Sequence, residues 1–294
     1  MRRVLGLSLV WLLVLSGAGA AAALTRPDRA TAHRATPAVT KLLVFVVENH
    51  SLKQMRNGMP QTFALAKRYG YATDYHAVTH PSLPNYIAMT SGRTHGVDDD
   101  SPPSVWKLKG STVFSRAVAA GKRARVYAES MTEHCQLTSS GRYAVKHNPW
   151  AYFVDDRADC ERWDRGLIAF HRDAKAGTLP NAGLVVPNLC NDAHDCPLAT
   201  ADDWFDAQMR RVFAGPDWAS GHLAVVLTAD EDDSKSGNRV LTVVMHPSQK
   251  GHVVTASLNH YALFELYEDV LGLKHSRKTP QSPSMAKAFG LALS

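Results

Sequence analysis

The sequence has few cysteines, only a small excess of positive charge and, after its first two dozen residues, no apolar run long enough to span a bilayer. Lys and Arg total 33 against 27 Asp and Glu, a formal net charge of +6. Without Arg2 and Arg3, which lie in a segment expected to be cleaved off, the surplus is +4 (31 minus 27). The basic residues are scattered and form no stripe with aromatic side chains, so we expect no nucleic-acid partner. The 45% hydrophobic content excludes a disordered or collagen-like chain.

Residues 1–23 combine two arginines, an apolar stretch and an Ala-rich run with several A-x-A sequences. This order is typical of a secretory signal peptide that is cleaved near Ala23. An uncleaved membrane anchor is the alternative, because the apolar stretch approaches the roughly 20 residues that span a bilayer. We expect cleavage, and therefore a secreted, extracellular protein with no stable membrane association. Residues 24–40 lack an apolar period and are predicted to be a linker, followed by one domain over 41–294.

The four cysteines are Cys135, Cys160, Cys190 and Cys196. An even number in an exported chain favours two disulfides over free thiols. Three pairings are possible, and we favour the one without overlap, Cys135–Cys160 with Cys190–Cys196. A zinc–thiolate site is a weaker alternative, because the spacing contains no C-x-x-C pair.

Short apolar, β-branched runs alternate with amphipathic stretches along the chain. The predicted strands cover 41–47, 123–129, 182–187, 223–229 and 239–245. The predicted helices cover 62–70, 83–92, 111–121, 162–176, 202–213 and 259–273. This alternation predicts an α/β fold with a doubly wound, mostly parallel sheet sandwiched by helices. Gly70, Gly92, Gly121 and Gly272 are predicted to lie near helix ends, where glycine accommodates a left-handed cap.

Acidic and amide side chains follow two of the predicted strands at the point where each strand ends. Glu48 and Asn49 come directly after the first strand, and Asp230 and Glu231 after the fourth. Ligands of such sheets gather beyond the carboxyl ends of the strands. Oxygen donors of this kind suit a hard or borderline cation. We therefore predict these four residues as metal ligands and expect the acids at 232–233 to remain in solvent.

The segment HPSLPNYIAMTSG, residues 80–92, places Ser82 just before a predicted short helix with Pro84 in its first turn. A serine at this position is most often an N-cap. The same geometry suits a nucleophile, because the free N–H groups of a helix N-terminus can hold a phosphate. Asn85, one turn inside the helix, could donate its amide to a phosphoryl oxygen. Cap and nucleophile are compatible, so both interpretations remain open.

Six segments match, in the same order, motifs of bacterial secreted acid phosphatases: ENHS (48–51), HPSLPNYIAMTSG (80–92), YAVKHNPWAYF (143–153), VPNLCNDAHDC (186–196), TADEDD (228–233) and NHYALFELYEDVLGL (259–273). The chain from about Lys41 to Leu273 therefore resembles the phosphoesterase family that groups acid phosphatases with phospholipases C. That family belongs to the alkaline phosphatase superfamily, so the resemblance implies an alkaline-phosphatase-like fold.

The resemblance implies a phosphoric ester hydrolase of the acid phosphatase type, acting on a small-molecule phosphate ester through a phosphoserine. One divalent metal ion, of unspecified identity, would be held by Glu48, Asn49, Ser82, Asp230 and Glu231. On this model the cation lowers the pKa of the nucleophilic hydroxyl and neutralises charge on the phosphoryl group. The side chains that would contact phosphoryl oxygens or protonate the leaving alkoxide are Asn85, His147 and His194.

Other function classes remain open. Phospholipase C members usually have a longer chain and a Gly-Gly-Phe stretch after the acidic cluster, whereas this sequence reads TADEDDSKSGNRV. We therefore favour a phosphomonoesterase over a phospholipase C-type phosphodiesterase. A serine esterase is weaker, because no G-x-S-x-G motif occurs. A secreted cation-binding protein without catalysis would use the same acids but leave Ser82 only a capping role.

The remaining polar and aromatic candidates have simpler interpretations. His80 either packs beside the Ser82 turn or contacts substrate, and His260 either caps the last helix or approaches the site. The acids at 98–100 are expected to form a solvated loop. The aromatic residues predicted to be core or pocket wall are Trp150, Tyr152 and Phe153.

Overall fold

The computed structural model describes residues 37–294. The predicted signal peptide and most of the predicted linker lie outside the described residues. The strands are β1 (Lys41–Val47), β2 (Gly70–Ala72), β3 (Tyr75–His76), β4 (Ala124–Ala128), β5 (Asp164–Gly166), β6 (Ala182–Val186), β7 (Leu223–Ala229), β8 (Thr242–Met245), β9 (His252–Val254) and β10 (Leu258–Asn259).

The α-helices are α1 (Leu52–Gly58), α2 (Pro60–Arg68), α3 (Ser82–Ser91), α4 (Val113–Ala119), α5 (Arg157–Trp163), α6 (Leu167–Ala176), α7 (Leu198–Phe213), α8 (Pro216–Ala219), α9 (His260–Leu271) and α10 (Met285–Ala288). Three short 3₁₀ helices cover Val145–His147, Pro149–Tyr152 and Val154–Asp156. In the described part of the chain, no helix has both the length and the apolar character needed to cross a membrane.

Eight strands form one sheet in the order β5-β4-β6-β1-β7-β8-β2-β9. The central strand β1 pairs in parallel with β6 and β7, and β4 pairs in parallel with β5 and β6. Only the pairs that β8 makes with β7 and β2 are antiparallel among the pairs of this sheet. The predicted doubly wound, mostly parallel sheet is therefore confirmed.

The helices pack in two groups, as a doubly wound sheet requires. One group contains α1, α2, α6, α7 and α8, with α7 contacting each of the others. The second contains α3, α4, α9 and α10, in which α9 contacts the other three and also packs on β1. Because both faces of the central strands are covered, β7 is buried at every residue and β1 at every residue after Lys41. This explains the continuous apolar runs of the sequence.

The long apolar runs predict their strands well. The short elements have no sequence pattern that identifies them. The bounds of β1 and β7 agree with the predicted 41–47 and 223–229, while the predicted strand 239–245 begins only at Thr242. The predicted helix 162–176 is wrong as one element, because it divides into α5, β5 and α6. Strand β5 has the sequence DRG and pairs at the sheet edge with β4, so no apolar alternation identifies it.

Of the four glycines predicted near helix ends, three are left-handed there and Gly70 is not. Gly121 directly follows Ala120, the C-cap of α4, with φ of 70°. Gly92 and Gly272 end α3 and α9 in the left-handed conformation, with φ of 78° and 61°. Gly70 instead begins β2, and Tyr69 is the C-cap of α2. A Cβ at Gly70 would meet the His252 carbonyl oxygen at 3.0 Å, so close strand packing explains this glycine. Both favoured disulfides, Cys135–Cys160 and Cys190–Cys196, are present.

Candidate active site

The register of the two central strands brings the first two predicted metal ligands together. Val47 pairs with Ala229, so the next residues, Glu48 and Asp230, leave the sheet side by side. The Asp230 N–H donates to the Val47 carbonyl at 3.0 Å, which extends the pairing by one residue. Asn49 then turns the chain with φ of 55°, a left-handed conformation that asparagine tolerates. Its N–H donates to Asp230 Oδ1 at 3.0 Å.

Ser82 is the first residue of α3, and its side chain points to the acids rather than to the helix backbone. Pro81 is the N-cap and makes no side-chain capping bond, so the interpretation of Ser82 as the cap is wrong. The Ser82 hydroxyl donates to Glu48 Oε2 at 3.0 Å. Lys146 Nζ lies 3.5 Å from the same Oγ. This serine is buried but has a carboxylate and an ammonium group as its partners.

Glu48 accepts contacts on both carboxylate oxygens. Oε1 receives the Tyr86 hydroxyl at 3.1 Å and lies 3.0 Å from His147 Nε2. Oε2 receives the Asn49 amide at 3.2 Å in addition to Ser82. Burial disfavours charge here, but the neighbouring His147 outweighs it and holds the pKa of Glu48 well below its usual range. Glu48 is therefore the ionised centre of the site.

His147 connects Glu48 to a further buried acid. Its Nδ1 lies 3.2 Å from Asp192 Oδ2, and its ring stacks on Tyr86 with centroids 5.0 Å apart. Burial opposes charge on the imidazole, but Glu48 and Asp192 raise the pKa of His147 to about 9. The His194 ring lies 6.3 Å from that of His147 and is one-third exposed. The structure thus brings both predicted histidines to the nucleophile region.

Asp230 and Glu231 are crowded by like charge. Burial and the Glu48 and Glu231 carboxylates raise the pKa of Asp230 well above its usual range. Burial and Glu48 likewise raise the pKa of Glu231 to about 8. Asp230 Oδ2 is buried and has no hydrogen-bond partner. Buried carboxylates crowded by like charge are stabilised when a bound cation neutralises them in place of protons.

The donor chemistry of the predicted metal ligands fits a divalent cation. The set contains three carboxylates, one amide and one hydroxyl, all oxygen donors of the kind that hard cations prefer. The unpaired Asp230 Oδ2 is the observation that favours a further positive partner. Over residues 37–294, three His, Cys, Asp or Glu side chains offer atoms within 4.8 Å of one another only at Cys135, Cys160 and Asp164. The carboxylates of Glu48, Asp230 and Glu231 therefore do not all converge to that distance. The sulfurs of Cys135 and Cys160 are bonded to each other, so that group is no cation site.

Asn85 uses its amide within the loop that precedes α3. Its Oδ1 accepts the N–H groups of Val78 and Thr79 at 2.9 and 3.1 Å. Its Nδ2 donates to the carbonyls of Thr79 and Pro81, and also to Glu231 Oε2 at 3.2 Å. This amide shapes the turn that presents the nucleophile. Its predicted contact with a phosphoryl oxygen stays a prediction.

The two other candidate histidines have different contacts. His80 lies beside two carboxylates, whereas His260 contacts a backbone carbonyl. His80 Nδ1 is 3.0 Å from Glu231 Oε2, and its Nε2 is 3.3 Å from Asp232 Oδ1. His260 is fully buried, and its Nε2 lies 2.6 Å from the Asp230 carbonyl oxygen. Burial lowers the pKa of His260 to about 4. The capping interpretation of His260 is wrong, because the Asn259 side chain caps α9.

Two acids predicted to remain in solvent have structural partners instead. Asp232 is 1% exposed, and its carboxylate accepts three backbone N–H groups between residues 234 and 238, at 2.6 to 3.0 Å. Asp233 is partly buried and accepts the Gln54 amide at 3.1 Å. The Asp98–Asp100 run also divides, because Asp100 accepts the Leu83 N–H at 2.9 Å while its neighbours are exposed.

The sequence patterns missed several residues of the site. Tyr86 lies four residues after Ser82, so helical spacing could have placed it on the same side of α3. Lys146 precedes a predicted catalytic histidine, but nothing in its own pattern separates it from a surface lysine. Asp100 and Asp192 belong to polar loops. The aromatic residues predicted to be core or pocket wall, Trp150, Tyr152 and Phe153, are fully buried core.

A cleft of about 550 Å³ is lined in part by Lys146, whose Nζ lies 3.5 Å from Ser82 Oγ. Lys146 and His194 contribute polar groups to its lining, and Pro102, Val145 and Leu189 contribute apolar surface.

The site thus combines a buried serine at a helix N-terminus with acids that follow the carboxyl ends of two parallel strands. Solved structures agree on the fold. A protein of the alkaline phosphatase superfamily from Vibrio parahaemolyticus matches with a TM-score of 0.58 and 11% identity, over 81% of this chain and 67% of that one. A 2-O GAG sulfatase matches with a TM-score of 0.61 and 10% identity, over 86% and 75% of the two chains.

The chain belongs to the Phosphoesterase family, whose model matches residues 45–274. The predicted enzyme class, a phosphoric ester hydrolase, is confirmed at this level. The chain is 27% identical to a phosphatidylinositol-3-phosphatase of Mycobacterium tuberculosis, over 90% of this chain and 87% of the relative. It is 32% identical to a phosphate-repressible acid phosphatase of Penicillium chrysogenum, over 62% of this chain but only 46% of the relative.

Proposed function

We propose that this protein is a secreted, metal-dependent phosphatase that hydrolyses phosphomonoesters through a phosphoserine at Ser82. The observation that carries the proposal is the Ser82 hydroxyl, which caps nothing and instead lies 3.0 Å from Glu48 Oε2 and 3.5 Å from Lys146 Nζ. A serine held this way at a helix N-terminus suits nucleophilic attack on phosphorus. The relatives whose names describe phosphatases support the choice of a monoester.

In the proposed reaction, the bond from Ser82 Oγ to phosphorus forms while the ester P–O bond breaks. Ser82 loses its hydroxyl proton to water as this bond forms, and one proton is added to the leaving oxygen, so charge balances. His194 is suited to supply that second proton, because it lines the cleft and its Nδ1 is held by Asp195 Oδ1 at 2.7 Å. Water then attacks the phosphoserine, which releases phosphate and restores the hydroxyl.

Glu48 would be kept in place through the reaction by its neighbours. Tyr86 and His147 both contact Oε1, and Asp192 orients His147 through Nδ1. This chain of contacts holds the carboxylate that positions Ser82. Such supporting partners typically contribute about 10- to 100-fold in metal affinity or activity.

The proposed cation would be held by Glu48, Asn49, Ser82, Asp230 and Glu231. When bound, a divalent cation supplies Lewis-acid charge that favours the serine alkoxide and neutralises phosphoryl oxygens. The support for this assignment is the raised pKa of Asp230 and the unpaired state of its Oδ2.

The nucleophile is tested by trapping. Acid quenching during turnover of a phosphomonoester, with subsequent peptide mapping, should find phosphate on Ser82. Ser82→Ala should lose several orders of magnitude in rate and remain folded, because a covalent nucleophile acts as a unit with its surroundings. Phosphate on another residue, or a folded Ser82→Ala protein with near wild-type rate, would refute the assignment. A serine esterase would stay active on carboxyl esters after chelation, and a phospholipase C-type enzyme would prefer diesters.

The metal ligands are tested by elemental analysis. Glu48→Ala and Asp230→Ala should each lose the bound cation and the activity while keeping the fold, because both acids lie beyond strand ends. The metal-free Asp230→Ala protein should unfold at the same or a higher temperature than the metal-free wild type, since like charges are separated. Asp155→Ala, an exposed acid, is the control and should keep its metal. Full metal occupancy in both site variants would contradict the ligand assignment.

A further inference from the structure

We propose that Lys146, held by Asp100, is a catalytic residue that binds the phosphoryl group and selects phosphomonoesters over phosphodiesters. The inference deepens the proposed function and rests on it. It begins from the contacts of Ser82 Oγ, which in the described structure are Glu48 Oε2 and Lys146 Nζ. Of these two partners, Lys146 is the one that carries positive charge.

Asp100 fixes Lys146 to the turn that carries the nucleophile. Its Oδ2 lies 3.0 Å from Lys146 Nζ, and it accepts the Leu83 N–H at 2.9 Å through Oδ1. Leu83 directly follows Ser82 in the first turn of α3. The ammonium group is therefore attached, through one carboxylate, to the same helix turn as the serine hydroxyl.

Lys146 is also open to a ligand. Its side chain is 19% exposed, and both Lys146 and Asp100 line the cleft of about 550 Å³. Two donors of the ammonium group are engaged by Asp100 and Ser82, which leaves a third for a phosphoryl oxygen. The following residue, His147, contacts Glu48 at 3.0 Å, so the 3₁₀ helix Val145–His147 supplies both contacts.

Charge explains why this residue would discriminate between esters. A phosphomonoester carries about two negative charges above pH 6, whereas a diester has one ionisable oxygen. The ionised Glu48 carboxylate beside Ser82 repels an anion, and the repulsion grows with ligand charge. A lysine ammonium, a compact point charge, offsets the second charge of the monoester. The same charge would stabilise the phosphoserine dianion.

The experiment compares p-nitrophenyl phosphate with bis(p-nitrophenyl) phosphate, which share a leaving group and differ by one charge. In Lys146→Met, kcat/KM for the monoester should fall by about 100-fold and that for the diester by less than about 5-fold. Lys146→Arg should restore part of the monoester rate because it restores the charge. The control is Lys109→Met, which breaks a matched but exposed Lys–Asp pair with Asp155 and should change neither rate. Equal losses on both esters, or no loss, would overturn the proposal.

A binding measurement separates this inference from the proposed function. Calorimetric titration with inorganic phosphate at pH 8 should show at least about 10-fold weaker binding to Lys146→Met than to the wild type. Unchanged phosphate binding would overturn the role of Lys146 even if neither ester were turned over. Loss of turnover in Ser82→Ala, or its absence in the wild type, reports only on the nucleophile.

Asp100 is tested as a positioning residue with a double-mutant cycle. Asp100→Asn keeps an acceptor for the Leu83 N–H but removes the charge that holds Lys146. It should lower the monoester kcat/KM by about 10-fold and leave the diester value nearly unchanged. The Lys146→Met/Asp100→Asn double variant should be no slower than Lys146→Met alone. Additive losses would show that Asp100 acts independently of Lys146.

Discussion

Two buried aspartates, Asp192 and Asp164, each lie close to a disulfide but have different partners. Asp192 lies within the loop closed by Cys190–Cys196, and its Oδ2 is 3.2 Å from His147 Nδ1. Asp164 lies beside Cys135–Cys160 and accepts the Asn148 amide at 2.6 Å. We name these the site loop (Cys190–Cys196) and the disulfide corner (Cys135, Asn148, Cys160 and Asp164).

Burial raises the pKa of both carboxyls, and the partners determine how each one can act. His147 opposes the effect of burial on Asp192 and connects it to Glu48. The Asn148 amide opposes it at Asp164, whose pKa nevertheless rises to about 7. A buried acid is therefore not by itself a catalytic acid. What distinguishes Asp192 is the charged path through His147 and Glu48 to Ser82.

Removing either disulfide is expected to change stability more than any other substitution at the site loop or the disulfide corner. Chain-entropy arguments predict a stability loss of about 3.5 kcal/mol for Cys135→Ser/Cys160→Ser, which opens a loop of 25 residues. The loss for Cys190→Ser/Cys196→Ser, with a separation of 6, should be about 2 kcal/mol. Activity should fall in the opposite order, because only the shorter loop carries Asp192 and His194. Urea unfolding and assays at a temperature where both variants are folded would measure this.

The two double variants serve as controls for each other. If Cys135→Ser/Cys160→Ser lost more activity than Cys190→Ser/Cys196→Ser while both were folded, the separation between a site loop and a structural corner would be wrong.

The second prediction removes the charge of each aspartate and keeps its shape. Asp192→Asn keeps an acceptor for the His194 N–H, which Asp192 Oδ1 now accepts at 2.8 Å, but it removes the charge that faces His147. We expect a loss of about 10- to 100-fold in kcat/KM with little change in stability, because the orientation of His147 is weakened. The matched variant Asp164→Asn should leave kcat/KM unchanged. Equal kinetic losses in the two variants would remove the distinction between the two aspartates.

The sequence predicts the acids that directly follow the central strands better than the residues in the surrounding loops. Glu48 and Asp230 were predictable because two apolar strands of seven residues each end at an acid, and parallel pairing aligns their ends. Asp232 was not, because its burial depends on how the loop over 234–238 folds back onto its carboxylate. A run of acids looks alike in sequence whether it is solvated or hydrogen-bonded.

The same limit applies to residues that meet only in three dimensions. Lys146 and Asp100 are 46 residues apart, and neither has an apolar or helical pattern that relates it to Ser82. The disulfides were predictable as a preference, because an even number of cysteines in an exported chain restricts the pairing to three choices. Very short strands such as β3 and β10 form through tertiary pairing and leave no periodic signal.

The smallest expected effect is a pH dependence of stability at the disulfide corner. The pKa of Asp164 in the folded protein, about 7, is raised above the ordinary value of about 4 that applies when the chain is unfolded. The folded state therefore binds more protons between these values. The contribution of Asp164 to stability is fully present below about pH 4 and is lost as the pH rises through about 7. The slope cannot exceed about 1.4 kcal/mol per pH unit for one proton.

Asp164→Asn removes this titration and keeps an oxygen that can accept the Asn148 amide. The free energy of unfolding of the variant minus that of the wild type should therefore increase from about pH 5 to about pH 7 and then level off. Other titrating groups cancel in this difference, because they are present in both proteins. Urea unfolding of the oxidised proteins from about pH 5 to about pH 8 measures it, with Glu133→Gln, an exposed acid of the same stretch, as the control. A constant difference between Asp164→Asn and the wild type would mean that Asp164 stays ionised in the corner, and the contrast with Asp192 would then have to rest on connectivity alone.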